Sequence, residues 1–207
     1  MEVSIKRKTV GVWKENSYFI SYKNEGWLVD PGDEFEALEN HFEIGSVKLS
    51  GIINTHGHFD HIGAVSAYKE KYNIPFYIHS KEKQLVQQGN LYLKLAGGES
   101  FFITPKIDFF LDTISSLPLG DKTIKIHHTP GHTKGSVCFE IDNHIFSGDL
   151  FFKDSIGRTD LPGADKAAIG NSVRFILDNF LGYTIHPGHG DAFVLDEQII
   201  KELKNKL

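Results

Sequence analysis

The 207-residue chain has a single cysteine, Cys138. That excludes an intramolecular disulfide. Cys138 stands alone within the strand-like run SVCFEI, which also excludes a thiolate metal site. No apolar run approaches the roughly 20 residues that a membrane-spanning helix needs. The N-terminus MEVSIKRKTV lacks the continuous apolar core of a signal peptide, so a cytoplasmic protein is expected. Positive charge is not in excess: 22 Lys and Arg stand against 27 Asp and Glu, a net charge of −5. That balance disfavours nucleic acid as a main partner, because phosphate binding relies on clustered positive charge. Repeats, low-complexity tracts and linkers are also missing. With 40% hydrophobic residues, residues 1–207 are expected to form one domain with a sizeable core.

Short β-rich runs alternate with helical segments. VSIKRKTV, SYFISY and WLVD read as strands, and PGD turns the chain. FEALENHF reads as a helix with Asp33 as its N-cap. LSGIINT is a buried strand, and DHIGAVSAYKEKYN is helical with Ile62, Val65 and Tyr68 or Tyr72 on one face. PFYIH, TIKIHHT, SVCFEI, HIFSGD and GYTIHP are further strands. Helices are expected over SKEKQLVQQ, near 165–180 and from about 195. Residues 89–110 mix apolar residues with Gly and Pro and read as a lid or a packed connector. The pattern predicts an α+β fold: an αββα sandwich of two mixed sheets flanked by helices, with the polar clusters at strand ends.

The clusters carry the chemistry. THGHFDH places His56, His58, Asp60 and His61 directly after a strand. In an extended segment the rings of His56 and His58 point to one side. Asp60 and His61 then open a helix and turn toward a neighbouring point, which suits two adjacent metal positions. TPGHTKGS adds His132, FSGDLFF adds Asp149 and IHPGHGD adds His189, each at the end of an element. Imidazoles with carboxylates suit zinc, iron or manganese.

The set THGHFDH, TPGHTKGS, SGD and HPGHG resembles the metallo-β-lactamase superfamily, in order and spacing over nearly the whole chain. The resemblance implies two divalent metal ions, zinc first and iron or manganese as alternatives. His56, His58 and His132 would hold the first, and Asp60, His61 and His189 the second. Asp149 would bridge them, and Asp30 in LVDPGD would support the ligands from behind. It also implies a hydrolase whose nucleophile is a hydroxide shared by the two metals, with Asp60 orienting it.

SGDLFFKDSIGRTDLPGAD resembles the short bacterial glyoxalase II-like hydrolases, which cleave thioesters such as hydroxyacylglutathiones. There Arg158 matches a basic residue that contacts the thiol carrier, and Lys153 is a second candidate for an anionic substrate. Two features depart from glyoxalase II. GDAF stands where a tyrosine is expected, and the C-terminal helical extension with further basic contacts is missing. A broader thioester or small ester substrate is therefore expected. SIGRTD also resembles the persulfide dioxygenase branch, which would use one iron on His56, His132 and Asp149. LPGAD favours the hydrolase. A metal-binding partner module is a third reading, disfavoured because no ligand is missing. His127 and His128 are expected to be structural, His79 to be a strand-end residue, and His41, His144 and His186 to lie in surface or turn positions. Phe101, Phe102, Phe109, Phe110, Phe151 and Phe152 are expected in core or lid packing.

Overall fold

The structure is a computed structural model that describes residues 2–45 and 47–207. The first half supplies β1 (Ser4–Val10), β2 (Glu15–Tyr22), β3 (Glu25–Val29), α1 (Phe35–Phe42), β4 (Lys48–Ile53), α2 (Val65–Tyr72), β5 (Phe76–Ile78), α3 (Lys83–Gln87), α4 (Gly89–Leu95) and β6 (Phe109–Phe110). The second half supplies β7 (Ser116–Leu119), β8 (Lys122–His128), β9 (Val137–Ile141), β10 (His144–Gly148), β11 (Phe151–Phe152), β12 (Ser155–Ile156), α5 (Ile169–Asn179), β13 (Thr184–Pro187), β14 (Phe193–Val194) and α6 (Glu197–Lys204). Strands β1 to β6 form one mixed sheet in chain order. The other sheet runs β14-β13-β10-β9-β8-β7, and β11 with β12 makes a separate hairpin.

The period-2 pattern of the strands explains the layers. In β2, Phe19 faces the helix layer of α1 and α2, while Tyr18, Ile20 and Tyr22 face the second sheet. In β3, Leu28 faces the helices and Trp27 and Val29 face inward. On the other sheet, Val137, Phe139 and Ile141 point between the sheets, whereas Cys138 and Ile145 pack under α5 and α6. Central strands are thus apolar on both faces, and the result is the αββα sandwich. The exposed edge β1 carries Lys6, Arg7 and Lys8, charges that discourage edge-to-edge pairing. Burying each large apolar side chain contributes roughly 1.5–3 kcal/mol. Three such layers offset the buried polar groups gathered at one end.

Several boundaries differ from those the sequence predicts. The N-cap of α1 is Glu34, in the left-handed region, and Asp33 instead accepts from the Glu34 amide. A short 3₁₀ turn at Phe59–His61 precedes α2, so Asp60 and His61 lie before the helix. Residues 89–110 hold α4, then an irregular segment, then β6 at the sheet edge. Phe102 packs against the core there, while Phe101 is exposed.

His186 is also buried, not at the surface: β13 pairs in parallel with β10, and the ring stacks on Phe146 at 4.8 Å. Burial, with the nearby His144 and Arg7, pushes its pKa down to about 3. An unfolded histidine titrates near 6.5 and takes up a proton that the folded one excludes. Stability from this group is complete above about pH 6.5 and falls by about 1.4 kcal/mol per unit as the pH drops toward 3. His186→Gln is expected to flatten that part of the profile. Urea midpoints for both proteins between pH 4 and 7 measure it, and parallel curves would rule out His186 as the source.

Candidate metal centre

Parallel pairing of β3 with β4, and of β10 with β13, puts several carboxyl strand ends on one side. Asp30 follows β3, the HGHFDH loop follows β4, Asp149 follows β10 and His189 follows β13. The loop after β8 brings in His132. The two sheets are tied together here. Asn16 of β2 donates from its amide to Gly188 at 2.7 Å and from its side chain to Gly190 at 2.7 Å. The Tyr18 hydroxyl donates to the Pro187 carbonyl at 2.6 Å. From the second sheet, the Val137 amide reaches the Thr55 carbonyl at 2.9 Å.

All seven residues expected as ligands meet at this end, six of them in two triads. One donor atom from each of His56, His58 and His132 lies within 4.8 Å of the others, and the same holds for Asp60, His61 and His189. Asp149 stands between the triads. Its Oδ1 is 3.6 Å from His61 Nε2, and its Oδ2 is 3.7 Å from His132 Nε2 and 3.5 Å from His189 Nε2. A third grouping of Asp30, His56 and His61 meets the same distance limit. Asp30 is already engaged, however: it accepts from the Thr55 amide at 2.7 Å and hydroxyl at 2.6 Å, and holds His61 Nδ1 at 3.1 Å. Its carboxylate therefore holds the Thr55 backbone and the His61 ring in place.

Each imidazole has its outer nitrogen fixed. His58 Nε2 lies 3.3 Å from the Pro162 carbonyl, His132 Nδ1 2.9 Å from the Arg158 carbonyl and His189 Nδ1 3.2 Å from the Lys14 carbonyl. Asp30 does the same for His61, and Thr55 Oγ1 lies 3.1 Å from His56 Nδ1. A carbonyl or carboxylate there requires an N–H, which leaves a lone pair on the inner nitrogen. Inner atoms His56 Nε2, His61 Nε2 and Asp149 Oδ1 are buried with no hydrogen-bond partner. Leaving such an atom unpaired costs about 1–3 kcal/mol. His58 Nδ1 and His132 Nε2 face one another at 2.9 Å. Converging lone pairs with two carboxylates form a donor set that fits divalent cations.

The charges differ between the two triads. Burial and the neighbouring histidines hold His56 well below the ordinary range, and burial with His132 brings His58 to about 4. Both rings are therefore neutral, as ligands must be. Burial alone would lower His61 and His189, but Asp60, Asp30 and Asp149 hold His61 well above its usual value, and Asp60 and Asp149 raise His189, so these two rings hold protons that a bound cation would displace. Burial would raise Asp60, yet His61 and His189 keep it well below the carboxylate range and ionised.

Arg158 and Lys153 are exposed beside the β11–β12 hairpin. The Arg158 guanidinium is held by Asp160 through two contacts of 2.7 Å. His127 pairs with Glu140, and His128 reaches the Lys134 carbonyl and stacks on His79, so none of the three joins the triads. Two buried carboxylates escape sequence reasoning. Glu15 accepts from the Ser17 hydroxyl and lies 3.8 Å from His61 Nδ1. Glu82 lies beneath the histidine loops. A cleft of about 330 Å³ opens beside Asp60, walled by Val10, Val12, Trp13, Phe59, Leu93 and Phe102. Its ionisable lining groups, Glu15, Asp33, Asp60 and Glu99, are all acidic.

The family model of the metallo-beta-lactamase superfamily matches residues 10–189. The chain belongs to that superfamily. Among its relatives, the probable metallo-hydrolase YqgX of Bacillus subtilis is 32% identical over 200 residues, 93% of each chain. The hydroxyacylglutathione hydrolase GloC of Haemophilus influenzae is 34% identical over 183 residues, covering 83% of this chain and 82% of its own. The crystal structure of TTHA1623 in a di-iron-bound form superposes with a TM-score of 0.86 at 32% identity, covering 98% of this chain and 100% of that one. The superfamily's αββα fold is the one described above. Among the described residues no helix is long and apolar enough to cross a membrane.

Proposed function

We propose that the protein is a binuclear metal-dependent hydrolase of thioesters, with an acyl-thiol such as a hydroxyacylglutathione as substrate class. The observation that carries the reading is the pair of triads spanned by Asp149. His56, His58 and His132 would hold one ion, Asp60, His61 and His189 the other, with Asp149 shared. Bound there, divalent ions supply an activated water and polarise the scissile carbonyl. Zinc suits the nitrogen-rich set, and the di-iron form of the neighbour at 32% identity makes iron an equal candidate.

The chain's own groups do the rest. Asp60, ionised and lining the cleft, orients the attacking water. The water oxygen bonds to the acyl carbon, the carbon–sulfur bond breaks, and a carboxylic acid and a thiol leave. The acidic, apolar-walled cleft suits an uncharged acyl group. An anionic thiol carrier would be met by the exposed Lys153 and Arg158, where Arg158 would exchange Asp160 for a substrate carboxylate. GloC, at 34% identity, supports the thioester class.

Elemental analysis of protein purified without added metal, paired with an S-D-lactoylglutathione assay, tests this. Near two equivalents with hydrolysis are expected. One equivalent of iron, no hydrolysis, and oxygen uptake with glutathione persulfide would replace the reading by the dioxygenase. Arg158→Ala is expected to raise KM for acylglutathiones about tenfold with kcat little changed. An unchanged KM would remove Arg158 from carrier binding.

A further inference from the structure

Glu82 lies just after β5, at the entry to α3, and is fully buried. No cationic side chain is among the groups acting on it. A buried carboxylate without a cation is costly, and burial pushes its pKa up. Its oxygens accept two backbone amides, Oε2 from Gly57 at 2.8 Å and Oε1 from Gly135 at 2.8 Å, and the Thr133 side chain beside it also favours the charged form. The first amide sits between His56 and His58. The second closes the turn that begins at His132. The two loops come from different sheets, and they carry all three histidines of one triad.

Both glycines belong to this contact. A Cβ at Gly135 would lie 2.6 Å from Glu82 Oε1, and one at Gly57 would lie 3.2 Å from Oε2. The backbone approaches the carboxylate so closely that at Gly135 only hydrogen fits. The other triad has supports of its own: Asp30 and the buried Glu15 lie 3.1 and 3.8 Å from His61 Nδ1, Asn54 donates to the His61 carbonyl, and the Lys14 carbonyl holds His189.

We propose that Glu82 is a positioning residue whose carboxylate clips the His56–His58 loop to the His132 loop and so sets the geometry of that triad. The proposal rests on the metal-centre reading above. It assigns Glu82 to one of the two metal positions only.

The test uses the full-length protein and cobalt. Two backgrounds isolate the triads: His189→Ala disables the second, and His132→Ala disables the first. In the His189→Ala background, Glu82→Gln is expected to weaken cobalt binding about 10- to 100-fold, because glutamine offers one acceptor to two amides. In the His132→Ala background it is expected to change nothing. Gly135→Ala, which breaks the clip from the loop side with the carboxylate intact, is expected to give the same pattern. Equal weakening in both backgrounds, or a lower melting temperature of the metal-free protein with cobalt affinity unchanged, would overturn the proposal and leave Glu82 a structural residue. Wild-type protein that takes up no cobalt would instead overturn the metal-centre reading, and the proposal with it.

Discussion

Asp149→Ala is expected to cut thioester hydrolysis by about 10³-fold or more and to lower the metal content with it. Asp149 places one oxygen toward His61 and the other toward His132 and His189, so its carboxylate faces both triads. Removing it takes the negative charge from the centre of five imidazoles. Without that charge two cations held by adjacent triads repel each other with less compensation. The folded scaffold is expected to tolerate the change. Alanine deletes a buried oxygen that has no hydrogen-bond partner, which offsets part of the lost attraction to His61. The contrast is therefore between metal-free and metal-loaded protein. Metal at 100 times its Kd stabilises the parent by about 2.7 kcal/mol per site, and the variant is expected to lose most of that gain. Thermal melts with and without metal, beside elemental analysis, measure both terms. A variant with full metal content and full activity would remove Asp149 from the centre.

The residues that meet in the two triads were legible because each sits in a short local pattern at a strand end. HGHFDH, SGD and the two Pro-Gly-His turns concentrate polar side chains where a strand stops, and that needs no knowledge of packing. Glu82 offers no such signal. SKEKQLVQQ has the composition of a solvated helix, and only the folding of β5 beside the histidine loop turns this one glutamate inward. Glu15 is similar: it opens an ordinary strand, and its burial comes from the antiparallel bridge that it forms with His189 across the sheets. The sandwich was readable from β2, β3, β9 and β10, whose alternating residues fill separate layers. Strands β6, β11, β12 and β14 are two residues long, too short for any period to show. His186 ends the strand GYTIHP just before a Pro-Gly turn, a place that suggests exposure, while parallel pairing with β10 buries it.

The second large effect is expected from Asp30→Asn, which keeps the shape of the side chain and changes one atom. Asp30 has φ 48, a left-handed conformation that asparagine tolerates equally well, so the backbone has no reason to move. The aspartate accepts three hydrogen bonds, from the Thr55 amide, the Thr55 hydroxyl and His61 Nδ1. Asparagine has one acceptor oxygen. With that oxygen on the Thr55 amide, its NH₂ faces the Thr55 hydroxyl, which can rotate to accept. It also faces His61 Nδ1, which can accept only by giving up its proton. The proton then sits on His61 Nε2, the atom that points toward Asp60 and Asp149. An N–H replaces the lone pair that a cation needs. Metal affinity at the Asp60, His61 and His189 triad is expected to fall about 10- to 100-fold, while the His56, His58 and His132 triad keeps its metal. Metal titration should give one tight equivalent in place of two, and ¹⁵N resonances of the imidazoles report the tautomer directly. If His61 keeps its proton on Nδ1, or both triads weaken together, Asp30 is not what sets the face that His61 turns to the centre.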